Sequence, residues 1–251
     1  MVKEKLGRIV WHDLFTPEED ASRSFYRSLA GWTYSIEHAT DFAWGGGSKD
    51  FTLAILDGEA GAGIVSQNLV RFEGWIPYIE VEDVDQTAKL AKSLGGAVIK
   101  PPFEVPGVGR NCLLSDPLGA YLGISVSRHD FPVPMRQFAL EHYLTRSGDI
   151  PAQFYRELFG WCISSIDDAS SSQRAIRFEG DVLAKCTSDR SVFSGIAAWI
   201  PGIRVSSLEQ ALKSVRRCEG LVLTRHQHTQ NTYASALVHD PMGALFNVVQ
   251  I

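Results

Sequence analysis

Few residues of this chain combine the type and the spacing that catalysis or metal binding requires. His226 and His228 form an H-x-H pair, which would place both imidazoles on one face of a strand, where they could share a metal ion. The alternative is an exposed polar loop, because the segment TRHQHTQNT is polar and no third donor has a known position. His142 could act as a general base, since histidine titrates near neutrality, or it could be a structural group.

The glycine run and the cysteines match no familiar reactive site. Glycines 45–47 are followed by no helix, so they form neither a phosphate loop nor a dinucleotide fingerprint and predict a hairpin. The four cysteines, Cys112, Cys162, Cys186 and Cys218, form no C-x-x-C pair. They indicate reduced thiols in a cytoplasmic protein rather than a disulfide framework or a zinc knuckle.

Composition and charge exclude several classes of protein. Hydrophobic residues make up 45% and charged residues 21% of the chain, which is typical of a globular protein. The formal net charge of −5, without a cluster of positive charge, argues against binding to nucleic acid. There is no apolar run of about 18 residues and no apolar signal core at the N-terminus, so we expect neither a membrane span nor secretion.

Three motifs occur twice, in the same order, and predict a tandem duplication. They are FYRSLAGW at 25–32 and FYRELFGW at 154–161, WIPYI at 75–79 and WIPGI at 199–203, and DPLGA at 116–120 and DPMGA at 240–244. Within each half, a strand and a helix recur again after about 60 residues, so the chain has four similar segments.

Local signals predict the elements of each segment. Thr16 and Glu19 have the spacing of a helix N-cap and its capping-box acid, and Asp83 with Gln86 has the same kind of pattern. Short apolar or alternating runs follow each helix, so each segment is predicted to be a strand, a helix and three strands. Prolines make 128–135 the predicted linker, which separates a domain of residues 1–128 from a domain of residues 136–251.

This arrangement resembles the vicinal oxygen chelate superfamily, which includes glyoxalases, bleomycin-resistance proteins and extradiol dioxygenases. The resemblance depends on the motifs FY..L.GW and D-P-x-G, and it covers nearly all of 7–127 and 137–251. It implies an α+β fold of two tandem domains, each with paired βαβββ units that form a curved mixed sheet around a cleft. It is similar to the tandem glyoxalase-like branch of bacterial proteins. Two halves in one chain could replace the pairing of single-unit relatives, so we expect a monomer or a homodimer.

The resemblance also implies where a metal ion would be held. The corresponding positions are Trp11, Ile76 and Gly123 in the first half, and Leu140, Ile200 and Asn247 in the second. Neither set can hold zinc, iron or nickel, which need several His, carboxylate or thiolate donors. We therefore expect no metal ion and no other cofactor.

The strand phase implied by the resemblance predicts which side chains face each cleft and bind a ligand. They are Trp11, Asp13, Ile76, Tyr78 and Gly123 in the first half, and His142, Arg204 and Asn247 in the second. An aromatic lining with one carboxylate suits a planar or cationic small molecule. Alternatively, Trp11 and Tyr78 only fill the curvature of the sheet. Arg204 either anchors an anionic substrate or pairs with an acid at the sheet edge.

Two functions from different classes are compatible with these features. The first is a metal-free glyoxalase-like protein that binds a small organic molecule in one or both clefts and sequesters or carries it. The second is a lyase, isomerase or dioxygenase of the glyoxalase type. It would need a metal held by unexpected residues such as His12, Glu80 or His142, or acid–base chemistry at His142. A third alternative is that one half serves only as a structural partner, so the sequence leaves open whether the protein is an enzyme.

Overall fold

The computed structural model of the chain describes residues 5–67, 72–129, 131–165, 174–188, 197–226 and 233–251. One pattern of elements, a strand followed by a helix and three strands, occurs four times. In the fourth segment the first strand is interrupted at Pro201, whereas that of the second segment continues through the equivalent Pro77. The α+β class and the βαβββ segments predicted from the sequence are confirmed.

The bounds of the elements follow the four segments. The first contains β1 (Ile9–Phe15), α1 (Glu19–Ala30), β2 (Thr33–Ala39), β3 (Lys49–Leu56) and β4 (Glu59–Val65). The second contains β5 (Gly74–Glu80), α2 (Val84–Ser93), β6 (Ala97–Val105), β7 (Gly109–Ser115) and β8 (Tyr121–Ser127). The third contains β9 (Glu141–Thr145), α3 (Ala152–Phe159), β10 (Cys162–Ser165), β11 (Arg174–Phe178) and β12 (Asp181–Ser188). The fourth contains β13 (Ala197–Ile200), β14 (Gly202–Val205), α4 (Leu208–Arg217), β15 (Leu221–His226), β16 (Ser235–His239) and β17 (Leu245–Gln250).

The strands form mixed sheets. Those of the first two segments lie in one eight-stranded sheet, in the order β2-β3-β4-β1-β5-β8-β7-β6. The others form a five-stranded sheet, β10-β11-β12-β9-β13, and a four-stranded sheet, β14-β17-β16-β15. Each hairpin is antiparallel, whereas β1 pairs with β4 and β5 pairs with β8 in parallel. No helix within the ranges that the structure describes is both long enough and apolar enough to cross a membrane.

Chain contacts group the segments into two compact units. Unit 1 consists of 1–10, 77–133 and 140–199, and unit 2 consists of 11–76, 134–139 and 200–251. Each unit therefore combines one βαβββ segment of the first half with one of the second half. The domains predicted from the sequence, residues 1–128 and 136–251, follow the tandem repeat and not the grouping by chain contacts. These domain bounds remain a prediction.

Each unit has its own hydrophobic core on the helix side of its strands. The core of unit 2 includes Phe25 and Leu29 of α1 with Leu212 of α4, and the core of unit 1 includes Ala88 of α2 with Phe154 of α3. Because side chains alternate along a strand, the residues between the core positions lie on the opposite side of the sheet. We call this side the helix-free face.

The helix starts show where local capping signals hold and where they fail. Asp83 Oδ1 accepts a hydrogen bond from Gln86 N at 2.9 Å, so the predicted cap of α2 is confirmed. The predicted cap of α1 is wrong, since this helix begins at Glu19 and no side chain caps it. The Glu19 carboxylate accepts instead from Ser66 N at 2.9 Å and therefore does not close a capping box with Thr16.

Candidate functional site

The recurring sequence motifs meet in a buried chain of hydrogen bonds in unit 1. Trp199 Nε1 donates to Tyr155 Oη at 2.8 Å, and Tyr155 Oη donates to Asp116 Oδ2 at 2.7 Å. Tyr143 Oη donates to the same carboxylate oxygen at 2.6 Å. Two backbone N–H groups of the DPLGA turn donate to Oδ1 at 2.9 Å each. The motifs WIP, FYR and DPLG thus hold one another in place.

Unit 2 contains the equivalent chain with one bond fewer. Trp75 Nε1 donates to Tyr26 Oη, which donates to Asp240 Oδ2, both at 3.0 Å. Leu14 has the position that corresponds to Tyr143, so among the described residues Tyr26 is the only tyrosine that donates to Asp240. Burial raises the pKa of Tyr26 well above its ordinary value, so its hydroxyl stays protonated and can donate. Sequence reasoning missed this structural role, although the joint recurrence of the three motifs was its signal.

The motif tryptophans after the helix glycines differ between the units. Trp161 Nε1 donates to Gly7 O at 2.6 Å in unit 1. Trp32 Nε1 in unit 2 is buried and has no hydrogen-bond partner among the described residues. Both indoles stack on the tyrosine of their own motif, at ring-centroid distances of 5.2 Å for Tyr26 and 5.6 Å for Tyr155. The two sites therefore differ in one hydrogen bond within similar packing.

We expect Trp161→Phe to destabilise the protein more than Trp32→Phe, by about 1–2 kcal/mol. Both substitutions remove the same atoms from a buried site, but only Trp161→Phe leaves a carbonyl, that of Gly7, without its donor. Thermal unfolding of the two variants beside the unaltered protein measures the difference. Equal losses in the two variants would contradict this assignment of the Trp161 hydrogen bond.

Trp11 and Asp13 lie together on the helix-free face of β1 in unit 2. Trp11 Nε1 donates to Asp13 Oδ1 at 3.0 Å, while the alternate residue Leu14 belongs to the core. Gly63 of β4 pairs with Asp13, and a Cβ at this glycine would lie 2.5 Å from Asp13 Oδ1. The close fit sets the position of the carboxylate and of the partly exposed indole.

Further aromatic rings continue this surface along unit 2. Phe15, two residues beyond Asp13, is in edge contact with Trp44 at a centroid distance of 4.7 Å. Phe72 lies 6.4 Å from Phe15 in a similar edge orientation. We call Trp11, Asp13, Phe15, Trp44 and Phe72 the aromatic surface. It combines several apolar rings with one carboxylate.

His12 and Ile76 have different environments from this surface. His12 is buried on the helix side of β1, where its ring stacks on Phe138 at a centroid distance of 3.9 Å. It therefore does not share a face with Asp13 and is a packed core histidine. Ile76 is fully buried, next to the core residue Trp75. It makes no part of an accessible surface.

Tyr78 and Gly123 fit directly against each other in unit 1. They pair in the parallel ladder of β5 and β8, and a Cβ at Gly123 would overlap the Tyr78 ring. Tyr78 is only 3% exposed. An aromatic side chain of the protein itself thus fills the space above Gly123. This arrangement corresponds to the alternative in which Tyr78 fills the curvature of the sheet.

The structure places the second-half residues in two different units. In unit 1, His142 is paired across strands with Lys185, so both side chains lie on the helix-free face. In unit 2, Arg204 Nη1 donates to Met135 O at 2.7 Å, a carbonyl rather than the expected acid. Asn247 pairs with Gly202 and is buried. His228 of the H-x-H pair lies outside the described residues.

The four cysteines are free thiols, as predicted from their spacing. Burial raises the pKa of Cys112 to about 12 and that of Cys186 to about 11. A thiol with so high a pKa is almost entirely protonated at neutral pH and is a poor nucleophile or metal ligand. These two cysteines are therefore packing residues.

Comparison with known proteins finds relatives in sequence and neighbours in fold. CFP32 of Mycobacterium tuberculosis, whose name provisionally classes it as a glyoxylase, is 27% identical over 248 residues, which cover 96% of this chain and 93% of CFP32. The anthracycline biosynthesis protein DnrV of Streptomyces peucetius is 30% identical over 133 residues, 47% of this chain and 46% of DnrV. A 2,2',3-trihydroxybiphenyl 1,2-dioxygenase from Sphingomonas wittichii strain RW1 has the same fold, with a TM-score of 0.63 at 13% identity, over 98% of this chain and 91% of the dioxygenase. No family model matches the sequence.

These relatives and structural neighbours support a glyoxalase- and dioxygenase-type fold of the vicinal oxygen chelate superfamily for this chain. The FY..L.GW and D-P-x-G motifs of this protein support its fold through the tyrosine–aspartate chains, in which Tyr26 and Tyr155 are the central residues. The likeness to the superfamily therefore resides in residues that hold the segments together.

The positions that hold a metal in this superfamily do not fit a metal ion here. Trp11 presents an N–H donor that is bound to Asp13, and Gly123 is covered by the ring of Tyr78. Within the part of the chain that the structure describes, no three His, Cys, Asp or Glu side chains are grouped closely enough to hold an ion. The ligand positions that the resemblance implies therefore lack the donors of a metal site in this protein.

Proposed function

We propose that this protein binds a small planar organic molecule on the aromatic surface of unit 2, without a metal ion. The observation that supports this most is the pairing of Trp11 with Asp13. The indole is partly exposed, yet its N–H is held by the carboxylate at 3.0 Å. An indole whose orientation is set in advance loses little conformational freedom when a planar ligand stacks on it.

The chemistry of the surface sets the class of ligand. Phe15 is 1% and Trp44 is 7% exposed, so these two rings support the surface from below, whereas the rings of Trp11 and Phe72 are partly exposed. Asp13 is the single acid of this surface. An apolar aromatic site with few fixed polar groups is typical of sites for small organic molecules. The relative DnrV, named for anthracycline biosynthesis, adds support for a planar polycyclic ligand. The protein would act by sequestering or carrying this ligand.

Tryptophan fluorescence tests the proposal with 1,4-dihydroxyanthraquinone as the planar probe. We expect the probe to quench the fluorescence of the unaltered protein at micromolar concentration. We expect Trp11→Phe to weaken binding about tenfold, because the larger indole provides more stacking area. The matched control is Trp32→Phe, which removes a buried indole of the same unit that does not belong to the aromatic surface.

Two outcomes would overturn the proposal, and a third would change its metal-free part. Absence of quenching at micromolar probe, or equal affinity of Trp11→Phe and the unaltered protein, would exclude the aromatic surface as the site. Binding that is lost in EDTA and restored by one equivalent of a divalent metal would show that a metal ion is required. Elemental analysis of untagged protein distinguishes this last case.

A further inference from the structure

A row of paired residues crosses four strands on the helix-free face of unit 1. Phe103 of β6 pairs with Asn111 of β7, Asn111 with Ser125 of β8, and Ser125 with Glu80 of β5. Directly paired residues project to the same side of a sheet, so these four side chains share a face. The neighbouring Cys112 belongs to the core on the other side.

Irregular pairing of β6 directs Lys100 and Phe103 to this face. Val98 pairs with Leu114 on the core side, but the register shifts on each side of Lys100, so that Phe103 is opposite Asn111. A bulge changes the side to which the following residues point. Lys100 Nζ lies 4.0 Å from the centroid of the Phe103 ring, in a cation–π contact.

The carboxamide oxygen of Asn111 is buried and has no hydrogen-bond partner among the described residues. Asn111 is only 8% exposed, and no donor among the described residues reaches its Oδ1. A buried polar group nearly always has a hydrogen-bond partner, because leaving it without one costs free energy. Lys100 is half-buried, and this burial lowers the pKa of its ammonium group. An amide and a cation are thus both partly withdrawn from water on one face.

The fourth segment shows that the fold does not need these two groups. Thr224 and Ser235 have the positions that correspond to Lys100 and Asn111. The described part of β15 has the first shift in register but not the second. The fourth segment therefore has neither the cation nor the amide, and the architecture that these two segments share does not explain them.

We infer that Lys100 and Asn111 form a site for a small hydroxy acid. The carboxylate of the ligand pairs with the Lys100 ammonium, its hydroxyl donates to Asn111 Oδ1, and its apolar part packs on Phe103. The acidic end of the row does not repel such a ligand strongly, because Glu80 is three strands from Phe103, roughly 14 Å at the usual strand spacing. Its carboxylate already accepts hydrogen bonds from Ser127 N at 2.8 Å and Ser127 Oγ at 2.7 Å.

This inference uses no residue of the aromatic surface and goes beyond the proposed function, because it names an anionic ligand and a second set of contacts. Calorimetric titration of the whole protein with mandelate tests it. Two analogues separate the contacts, since methyl mandelate lacks the charge and phenylacetate lacks the hydroxyl. The variants are Lys100→Thr and Asn111→Ser, whose new residues are those that the fourth segment has at these positions.

We expect each substitution to weaken mandelate binding about tenfold, since each removes one hydrogen bond to a charged or buried group. Lys100→Thr should leave the affinity for methyl mandelate unchanged, and Asn111→Ser should leave that for phenylacetate unchanged. Lys185→Thr is the matched control. Lys185 is also half-buried on a helix-free face, but its cross-strand partner is His142 and not an asparagine. The Lys185→Thr variant should bind mandelate as tightly as the unaltered protein does.

The inference is overturned if mandelate fails to bind at millimolar concentration or binds no better than its methyl ester. It is equally overturned if Lys185→Thr weakens binding as much as Lys100→Thr does. If Trp11→Phe weakens anthraquinone binding but leaves mandelate binding intact, the hydroxy-acid site is distinct from the site of the proposed function.

Discussion

Replacing Asp116 with Asn should destabilise the protein by about 4 kcal/mol, whereas Asp240→Asn should cost about 2 kcal/mol, because a hydrogen bond to a charged group contributes about 1.5–3 kcal/mol. Asp116 accepts from the hydroxyls of Tyr143 and Tyr155, and Asp240 accepts only from that of Tyr26. The asparagine oxygen can still accept from the two backbone N–H groups of the turn. Its amide nitrogen cannot accept from a tyrosine hydroxyl. Urea unfolding of the two variants measures the difference.

A milder variant keeps this prediction testable if Asp116→Asn does not fold. Tyr143→Phe removes one of the two tyrosine hydrogen bonds without disturbing the turn, and we expect it to cost about 2 kcal/mol. The unit 2 counterpart, Leu14, already lacks this hydroxyl. Equal losses for Asp116→Asn and Asp240→Asn would show that the second tyrosine adds nothing to the chain in unit 1.

Gly123→Ala should cost about 2 kcal/mol, the usual range for forcing an extra methyl group into a packed site. The new Cβ would overlap the Tyr78 ring, which is nearly inaccessible to solvent and has little room to move. The backbone of Gly123 is not in the left-handed region, so the cost comes from the overlap alone. Thermal unfolding of the variant provides the measurement.

A double-substitution cycle identifies the source of the loss. Tyr78→Ala alone leaves a cavity and should cost about 3–5 kcal/mol, which is typical of removing a large aromatic ring. In Tyr78→Ala/Gly123→Ala the added methyl group occupies space that the ring has left. The double variant should therefore be about 2 kcal/mol more stable than the sum of the single losses predicts. Additive losses would mean that Tyr78 and Gly123 do not contact each other in solution.

The strand phase at the candidate sites could be predicted from sequence because it depends on local alternation. Trp11 and Asp13 were predicted to share one face of β1, and in the structure the Trp11 indole donates to the Asp13 carboxylate. The repeated motifs likewise predicted four βαβββ segments before any contact was known. The start of α1 was predicted wrongly because Glu19 bonds to Ser66, a residue 47 positions away that a local capping pattern does not include.

The amino-acid sequence by itself determined the fourfold repeat and the alternation of side chains along each strand. It also determined that the positions inferred for metal ligands carry few side chains that could bind a metal. These features depend on residue type and short spacing. Only the tertiary structure decided that Tyr155 contacts Asp116, that Tyr78 covers Gly123, and that the buried Asn111 Oδ1 has no partner among the described residues. Such contacts join residues on different strands and segments. Periodicity along the chain defines the face of each residue but not which distant side chain packs against it.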